Sequence, residues 1–288
     1  MIGSRLRTST GVRGGLRGLR SWTLVLFSLI MAAASVVTAS DDTPLLRESP
    51  VIESVLVIPV RIHVLESSEL PEANCVLSDE DLGRIISKLN MVWHQATIHF
   101  CVESVVREQA EGVARFKILR ELSSGELPLG VYAEWLPRGS RTKGMLHVYY
   151  VHELPVNGVY LGDGVALVKE TAALHPVPEG LDEPLPRVTA HELGHALDLI
   201  HVEDVTHLMA SGTTGYRIAK DEVNRARRAS PKWGVQRLDD LKRAAELSEV
   251  AGKKDQSRRL RGWIAEVEAL AAAAAPEHPV QDPAPPAR

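Results

Sequence analysis

An α+β fold is predicted for the core of this 288-residue chain, on three observations. Leu56, Ile58, Val60, Ile62 and Val64 alternate with other residues, the period of a half-buried strand. Leu82, Ile85, Ile86, Leu89, Val92 and Trp93 recur at helical spacing instead. The stretch MLHVYYVH, Met145 to His152, returns to the β-branched and aromatic composition of a strand. Strand and helix patterns in this order suit a twisted mixed sheet with helices packed against it.

The elements follow in chain order. Arg5, Arg7, Arg13, Arg17 and Arg20 precede an uncharged apolar run, Trp22 to Val37, and Val37-Thr38-Ala39 offers a small-residue cleavage site. That order predicts a secretory signal peptide over 1–39 and hence a secreted or periplasmic protein. A membrane anchor at the N-terminus is the alternative, for which the run is short. Residues 40–53 read as a flexible leader. Ser54 to Leu65 is the first strand, with Pro59 marking an edge or a bulge. Glu66 to Ala73 is loop, and Ser78 opens a helix with Asp81 completing a capping-box variant. Ile98 to Val105 is the next strand. Residues 106–143 carry scattered turns and one short helix.

After Met145 to His152, the glycines between Asn157 and Gly164 make turns, and Val165 to Val168 forms a short strand. Prolines at 176, 178, 184 and 186 make 169–186 a loop, and a helix starts after it. A loop at 211–215 leads to a helix over Lys220 to Arg228. Alanine, leucine and charge predict two further helices, 236–254 and 255–275, before a proline-rich disordered tail at 276–288.

The net charge of −4 carries no electrostatic footprint for nucleic acid. Cys75 and Cys101 flank the first helix. Export permits a disulfide between them, and two buried thiols are the alternative.

Chemistry concentrates in TAHELGHALDLIHVEDVTHLMA, Thr189 to Ala210. His191 and His195 stand four apart, so on a helix their imidazoles lie one turn above the other and reach one ion. Glu192 sits about a quarter-turn round, beside the ion rather than on it, where a general base belongs. A catalytic zinc takes three protein ligands and leaves one position open. His201 supplies the third only if the chain breaks after His195 and turns back. Asp198 stands where that turn wants a glycine, and aspartate is one of the few other residues that tolerates the left-handed region. Composition alone yields this three-histidine spacing on the order of once in a thousand chains of this make-up.

HELGHALDLIH, His191 to His201, followed by Met209, resembles the metzincin clan of zinc metallopeptidases, and His207-Leu208-Met209 with Gly215-Tyr216-Arg217 is most similar to its matrixin-like bacterial members. The resemblance spans roughly residues 54 to 230 and is specific from 189 to 217. It implies a zincin-like domain over 54–232, with an active-site helix and a Met-turn, followed by a C-terminal helical segment at 233–275. It implies zinc on His191, His195 and His201, Glu192 as general base, Met209 as a hydrophobic floor, and hydrolysis of peptide bonds in a protein or peptide substrate. The edge strand near Val165 to Val168 would hold that substrate extended. Asp198 departs from the clan's glycine, and Ala210 and Ser211 replace the proline or tyrosine that follows the methionine in several branches. A different class of reading is a catalytically silent, metal-stabilised peptide binder, against which the intact Glu192 argues.

Other residues have plainer readings. His207 is a loop histidine with a fourth-ligand alternative, and His94, His99, His147 and His152 read as structural or exposed. Asp163 between two glycines is a turn, with a calcium loop as the lesser alternative. Arg225, Arg227, Arg228 and Lys232 form a solvated basic face, with a binding patch as the lesser alternative, and Tyr216 falls near the S1′ side of the cleft by resemblance.

Overall fold

The computed structural model describes residues 55–273. The signal peptide, the leader and the tail beyond 275 lie outside the described residues. Strand β1 (Leu56–Glu66) is central, with β2 (Ile98–Gln109) parallel to it on one side and β3 (Leu146–Val151) parallel on the other. Strand β5 (Val165–Lys169) continues the sheet in parallel, and β4 (Gly158–Gly162) closes it antiparallel. The order is β2-β1-β3-β5-β4. A two-residue strand, β6 (Gln236–Arg237), pairs with Leu56 and Val57. Pro59 thus falls on a central strand, between the residues that pair with β6 and those that pair with β3 from Val60 onward. The register slips just beyond it, between Val60 and Arg61, where β2 bulges. Of the two readings of Pro59, the bulge is found one residue on and in the partner strand β2, and Pro59 lies on a central strand, in the gap between the β6 and β3 pairings.

Helix α1 (Asp79–Trp93) starts where its sequence directs. Ser78 Oγ accepts from the Asp81 amide at 3.1 Å, and Asp81 Oδ2 accepts from the Ser78 amide at 3.0 Å. Its stripe of Leu82, Ile85, Ile86, Leu89, Val92 and Trp93 is buried. Each such side chain contributes about 1.5–3 kcal/mol relative to exposure. The stripe meets Ile58, Val60, Ile62 and Val64 on one sheet face, together with helix α4 (Pro184–Ala196). Trp93 ties the two helices by donating its indole N–H to the Ala190 carbonyl at 3.3 Å.

The stretch 106–143 is more ordered than its sequence suggests. Strand β2 runs on to Gln109, and two helices follow, α2 (Val113–Leu122) and the four-residue α3 (Leu129–Tyr132). They cover the far sheet face with Phe116, Trp135, Tyr149 and Leu167. Helix α5 (Lys220–Ala229) is followed by α6 (Leu238–Val250) and α7 (Lys254–Ala273), which form a pair on the same far face, against Val57 and Cys101.

Between these two far-face clusters runs a polar stripe, buried at His63 and His147 and half-buried at Arg61, Glu103 and Glu108. Arg61 pairs with Glu103 at 2.8 Å. His63 Nδ1 donates to Glu108 at 2.6 Å, His63 Nε2 meets His147 Nδ1 at 2.9 Å, and the His63 ring stacks on Tyr149. Loss of hydration pushes His63 down to about 3 and lowers His147 as well.

The cysteines are free. Cys75 belongs to the helix-side core and donates to Glu170 at 3.1 Å, whereas Cys101 packs under α6 and α7. A fifteen-residue helix separates its ends by about 22 Å rather than joining them. The disulfide expectation gives way to two buried thiols, both pushed up by burial.

Candidate metal centre

The site is built on α4. The helix begins at Pro184, inside the segment read as loop from its prolines. Pro184 and Pro186 occupy first-turn positions, where a helix leaves its amides unbonded in any case, so the missing N–H groups cost nothing.

The C-terminal end of α4 sets the third histidine. Leu199 N–H bonds to Gly194 O at 3.0 Å and Asp198 N–H to His195 O at 3.1 Å, the two bonds of a Schellman motif. Asp198 holds the left-handed position at φ 62°. The turn expected at this aspartate therefore exists, and Lys232 Nζ steadies its carboxylate from 2.6 Å. Beyond it the chain reverses, and His201 comes back over the helix.

His191 Nε2 and His195 Nε2 lie 3.2 Å and 3.1 Å from His201 Nε2. His191 Nδ1 contacts the Leu208 carbonyl at 2.7 Å, and His195 Nδ1 the Leu199 carbonyl at 2.9 Å. A carbonyl only accepts, so both Nδ1 atoms carry hydrogen and both Nε2 lone pairs face the third ring. Two lone pairs aimed at a third ring nitrogen suit a positive centre among them. Four-coordinate zinc with bonds of about 2.0–2.1 Å sets its nitrogens about 3.3–3.4 Å apart. The cluster is compatible with zinc. Burial pushes His191 down to about 3 and lowers His195, which keeps both rings in the neutral, ligating form.

Glu192 stands beside the group rather than in it. It is buried, and β4 crosses directly over it: a Cβ on Gly158 would come within 2.8 Å of its Oε1, and the Tyr160 amide faces its carboxylate. Loss of hydration pushes the carboxyl up to about 8, opposed by the positive Arg187 nearby. Met209 is fully buried, its sulfur against Gly194.

A cleft of about 760 Å³ opens over these groups, lined by His191, Glu192, His195 and His201 and walled by Gly158, Val159 and Tyr160 of β4. The strand along the cleft is thus β4. Val165 to Val168, expected there, is buried between β3 and β4. The turn expected from the glycines between Asn157 and Gly164 is confined to the 162–165 end: Gly158 to Gly162 is a strand paired with β5, and at Gly158 it passes α4 too closely for a side chain.

Sequence reasoning missed Arg187. It lies one turn before His191 and is 2% exposed. Its guanidinium donates to Gly215 O at 2.9 Å, to His207 O at 3.3 Å and to Ala210 O, and so holds the 207–215 segment that presents the Leu208 carbonyl to His191. Burial lowers it to about 10, still charged at neutral pH. Its position at i−4 from the first histidine, on the same helix face, was the available signal.

The remaining candidates do not join the group. His207 turns to Glu222 at 3.4 Å and is no fourth ligand. Asp163 sits in a turn at φ 48°, outside every ligand group among the described residues. Tyr216 packs on the main core and is absent from the cleft lining. The basic face disperses: Arg227 donates to Ala96 and Thr97 carbonyls, and Lys232 pairs with Asp198.

No protein-family model and no curated protein matches the sequence. Among solved structures, the chain is similar to archaemetzincin from Methanopyrus kandleri, at 18% identity over 60% of this chain and 94% of that one, with a TM-score of 0.39. It is also similar to a chain in a chaperone-substrate complex, at 12% identity over 62% of this chain and 35% of that one, TM-score 0.35. A third is a zinc-dependent peptidase from Methanocorpusculum labreanum, at 15% identity over 57% of this chain and 92% of that one, TM-score 0.27. These overlaps are partial, and the reading of the site rests on its own geometry.

Proposed function

We propose that this chain is an exported zinc-dependent endopeptidase of metzincin type, matrixin-like, with Met209 in the Met-turn position. The observation that carries the proposal is the convergence of three imidazole Nε2 atoms, two of them with fixed lone pairs, beside a buried carboxylate that ligates nothing. His191, His195 and His201 would hold the zinc, which supplies Lewis acidity to a water and to the scissile carbonyl.

The protein's own groups do the rest. Burial holds the Glu192 carboxyl up to about 8, and a cation on the three histidines would bring it toward neutrality, the range where a carboxylate exchanges protons efficiently. Glu192 takes the proton of the attacking water on a carboxylate oxygen and delivers it to the leaving amine. An extended peptide pairs with the outer edge of β4, which no other strand covers among the described residues. Arg187 and the 207–215 segment hold the His191 ring in place from behind.

The test is Glu192→Gln. It keeps the shape of the side chain and removes the base. Zinc should remain at the wild-type stoichiometry while cleavage of a peptide library is lost. Unchanged cleavage would overturn the assignment of the base, and a wild-type protein that binds zinc and peptide without cutting would establish the silent binder instead.

A further inference from the structure

A second set of ligand-type side chains lies away from the cleft, where α7 crosses the edge strand. His99 and Cys101 are two apart on β2, so both side chains leave the same sheet face. Glu266 reaches them from α7. One ligand atom of each lies within 4.8 Å of the other two, and His99 Nε2 is 3.8 Å from Glu266 Oε2. His99 and Cys101 are buried, at 5% and 0% exposure. Neither has a good partner. Cys101 Sγ makes no hydrogen bond among the described residues. The other neighbour of His99 Nε2 is the Asn90 amide at 3.3 Å, which already donates to Phe100 O at 3.0 Å. A groove of about 570 Å³ between α1 and α7 opens onto His99 and Glu266 and gives solvent access to the group.

We propose that His99, Cys101 and Glu266 form a second metal site, distinct from the three-histidine centre, for a divalent cation of the zinc type. One sulfur, one imidazole nitrogen and one carboxylate oxygen select zinc or cobalt over calcium or magnesium, which require oxygen ligands. Tetrahedral ligand atoms stand about 3.3–3.8 Å apart. Glu266, an exposed side chain, already places Oε2 3.8 Å from His99 Nε2, and a bound ion would draw the three ligand atoms in from their 4.8 Å limit. The thiol proton leaves to solvent as the metal–sulfur bond forms, and the fourth position faces the groove. The ion clips α7 to the sheet edge, beside the bond from Trp263 Nε1 to Val102 O at 3.2 Å. Because Glu266 is far in sequence from His99 and Cys101, the three assemble only in the folded chain, so metal binding stabilises the docked α7.

The test uses the purified full chain, stripped of metal and titrated with Co²⁺. The three-histidine centre contains no sulfur ligand, so a thiolate-to-cobalt charge-transfer band in the near ultraviolet reports the second site alone. The wild type should bind two equivalents and show the band. Cys101→Ser should bind one and lose it, and Cys75→Ser should keep it. Glu266→Gln, a surface change that leaves the fold intact, should weaken the sulfur-bearing site at least about tenfold. His191→Ala with His195→Ala should remove the other equivalent and leave the band, which separates this site from the catalytic proposal. A wild type without the band, or a band that survives Cys101→Ser, overturns the site.

Discussion

The sulfur of Met209 lies 2.6 Å from where a Cβ on Gly194 would stand, so the helix turn between His191 and His195 rests directly on the methionine. That contact packs the turn carrying the two imidazoles against Met209. It requires the glycine.

Gly194→Ala should therefore push Met209 out of its buried position. The expected loss is about 1–3 kcal/mol of stability, the usual cost of overpacking a core. Weaker zinc binding should accompany it. Urea unfolding and zinc competition measure both, and unchanged values would mean that the methionine yields freely.

Asp198 sets the second expectation. Its left-handed backbone costs an ordinary residue about 1–2 kcal/mol, and glycine nothing. Asp198→Gly should hold stability and zinc affinity, because relief of strain offsets the lost Lys232 pair, itself worth about 0–1 kcal/mol at the surface. Asp198→Val should lower the unfolding midpoint and weaken zinc by displacing His201. Equal behaviour of the two variants in thermal melts would show that the turn does not position the ligand.

Gly158 of β4 packs directly over Glu192. Gly158→Ala brings a methyl within 2.8 Å of Oε1 and 2.7 Å of a Val188 methyl. Displacement of a reacting group by about 1 Å costs on the order of a hundredfold in rate. The variant should keep its zinc and lose kcat, and a full kcat would separate β4 from the chemistry.

The buried imidazoles make stability depend on pH. His63, facing Glu108, His147, Arg61 and Arg141, is held at about 3, below the value near 6.5 of an unfolded histidine. The unfolded chain therefore takes the proton first as pH falls. This contribution is complete above pH 6.5 and is lost between 6.5 and 3, at up to about 1.4 kcal/mol per pH unit. Urea midpoints of the wild type should fall from pH 7 to pH 5, and less so in His63→Asn. A wild-type midpoint that rises over this range would mean that His63 carries charge against Glu108.

What the sequence disclosed depended on how local the signal was. The stripe from Leu82 to Trp93, the Ser78 cap and the left-handed Asp198 each follow from a few neighbouring residues, and each stands as read. The convergence of His201 on His191 and His195 followed from spacing plus one turn. The start of α4 was hidden because Pro184 and Pro186 read as breakers, although the first helical turn tolerates both. The cleft strand was misplaced because Val165 to Val168 has the stronger strand composition, and that composition reflects burial on both faces rather than an edge. Arg187 was overlooked because a charged residue reads as surface until the carbonyls that surround it are known.

Zinc-edge X-ray absorption on the Cys101→Ser protein carrying one equivalent of zinc tests the central claim most directly, since that variant leaves only the three-histidine group. The expected spectrum contains three imidazole nitrogens at about 2.0–2.1 Å and no sulfur. Fewer than three imidazoles, or a zinc lost when His201 is changed to alanine no faster than from the parent, would contradict it.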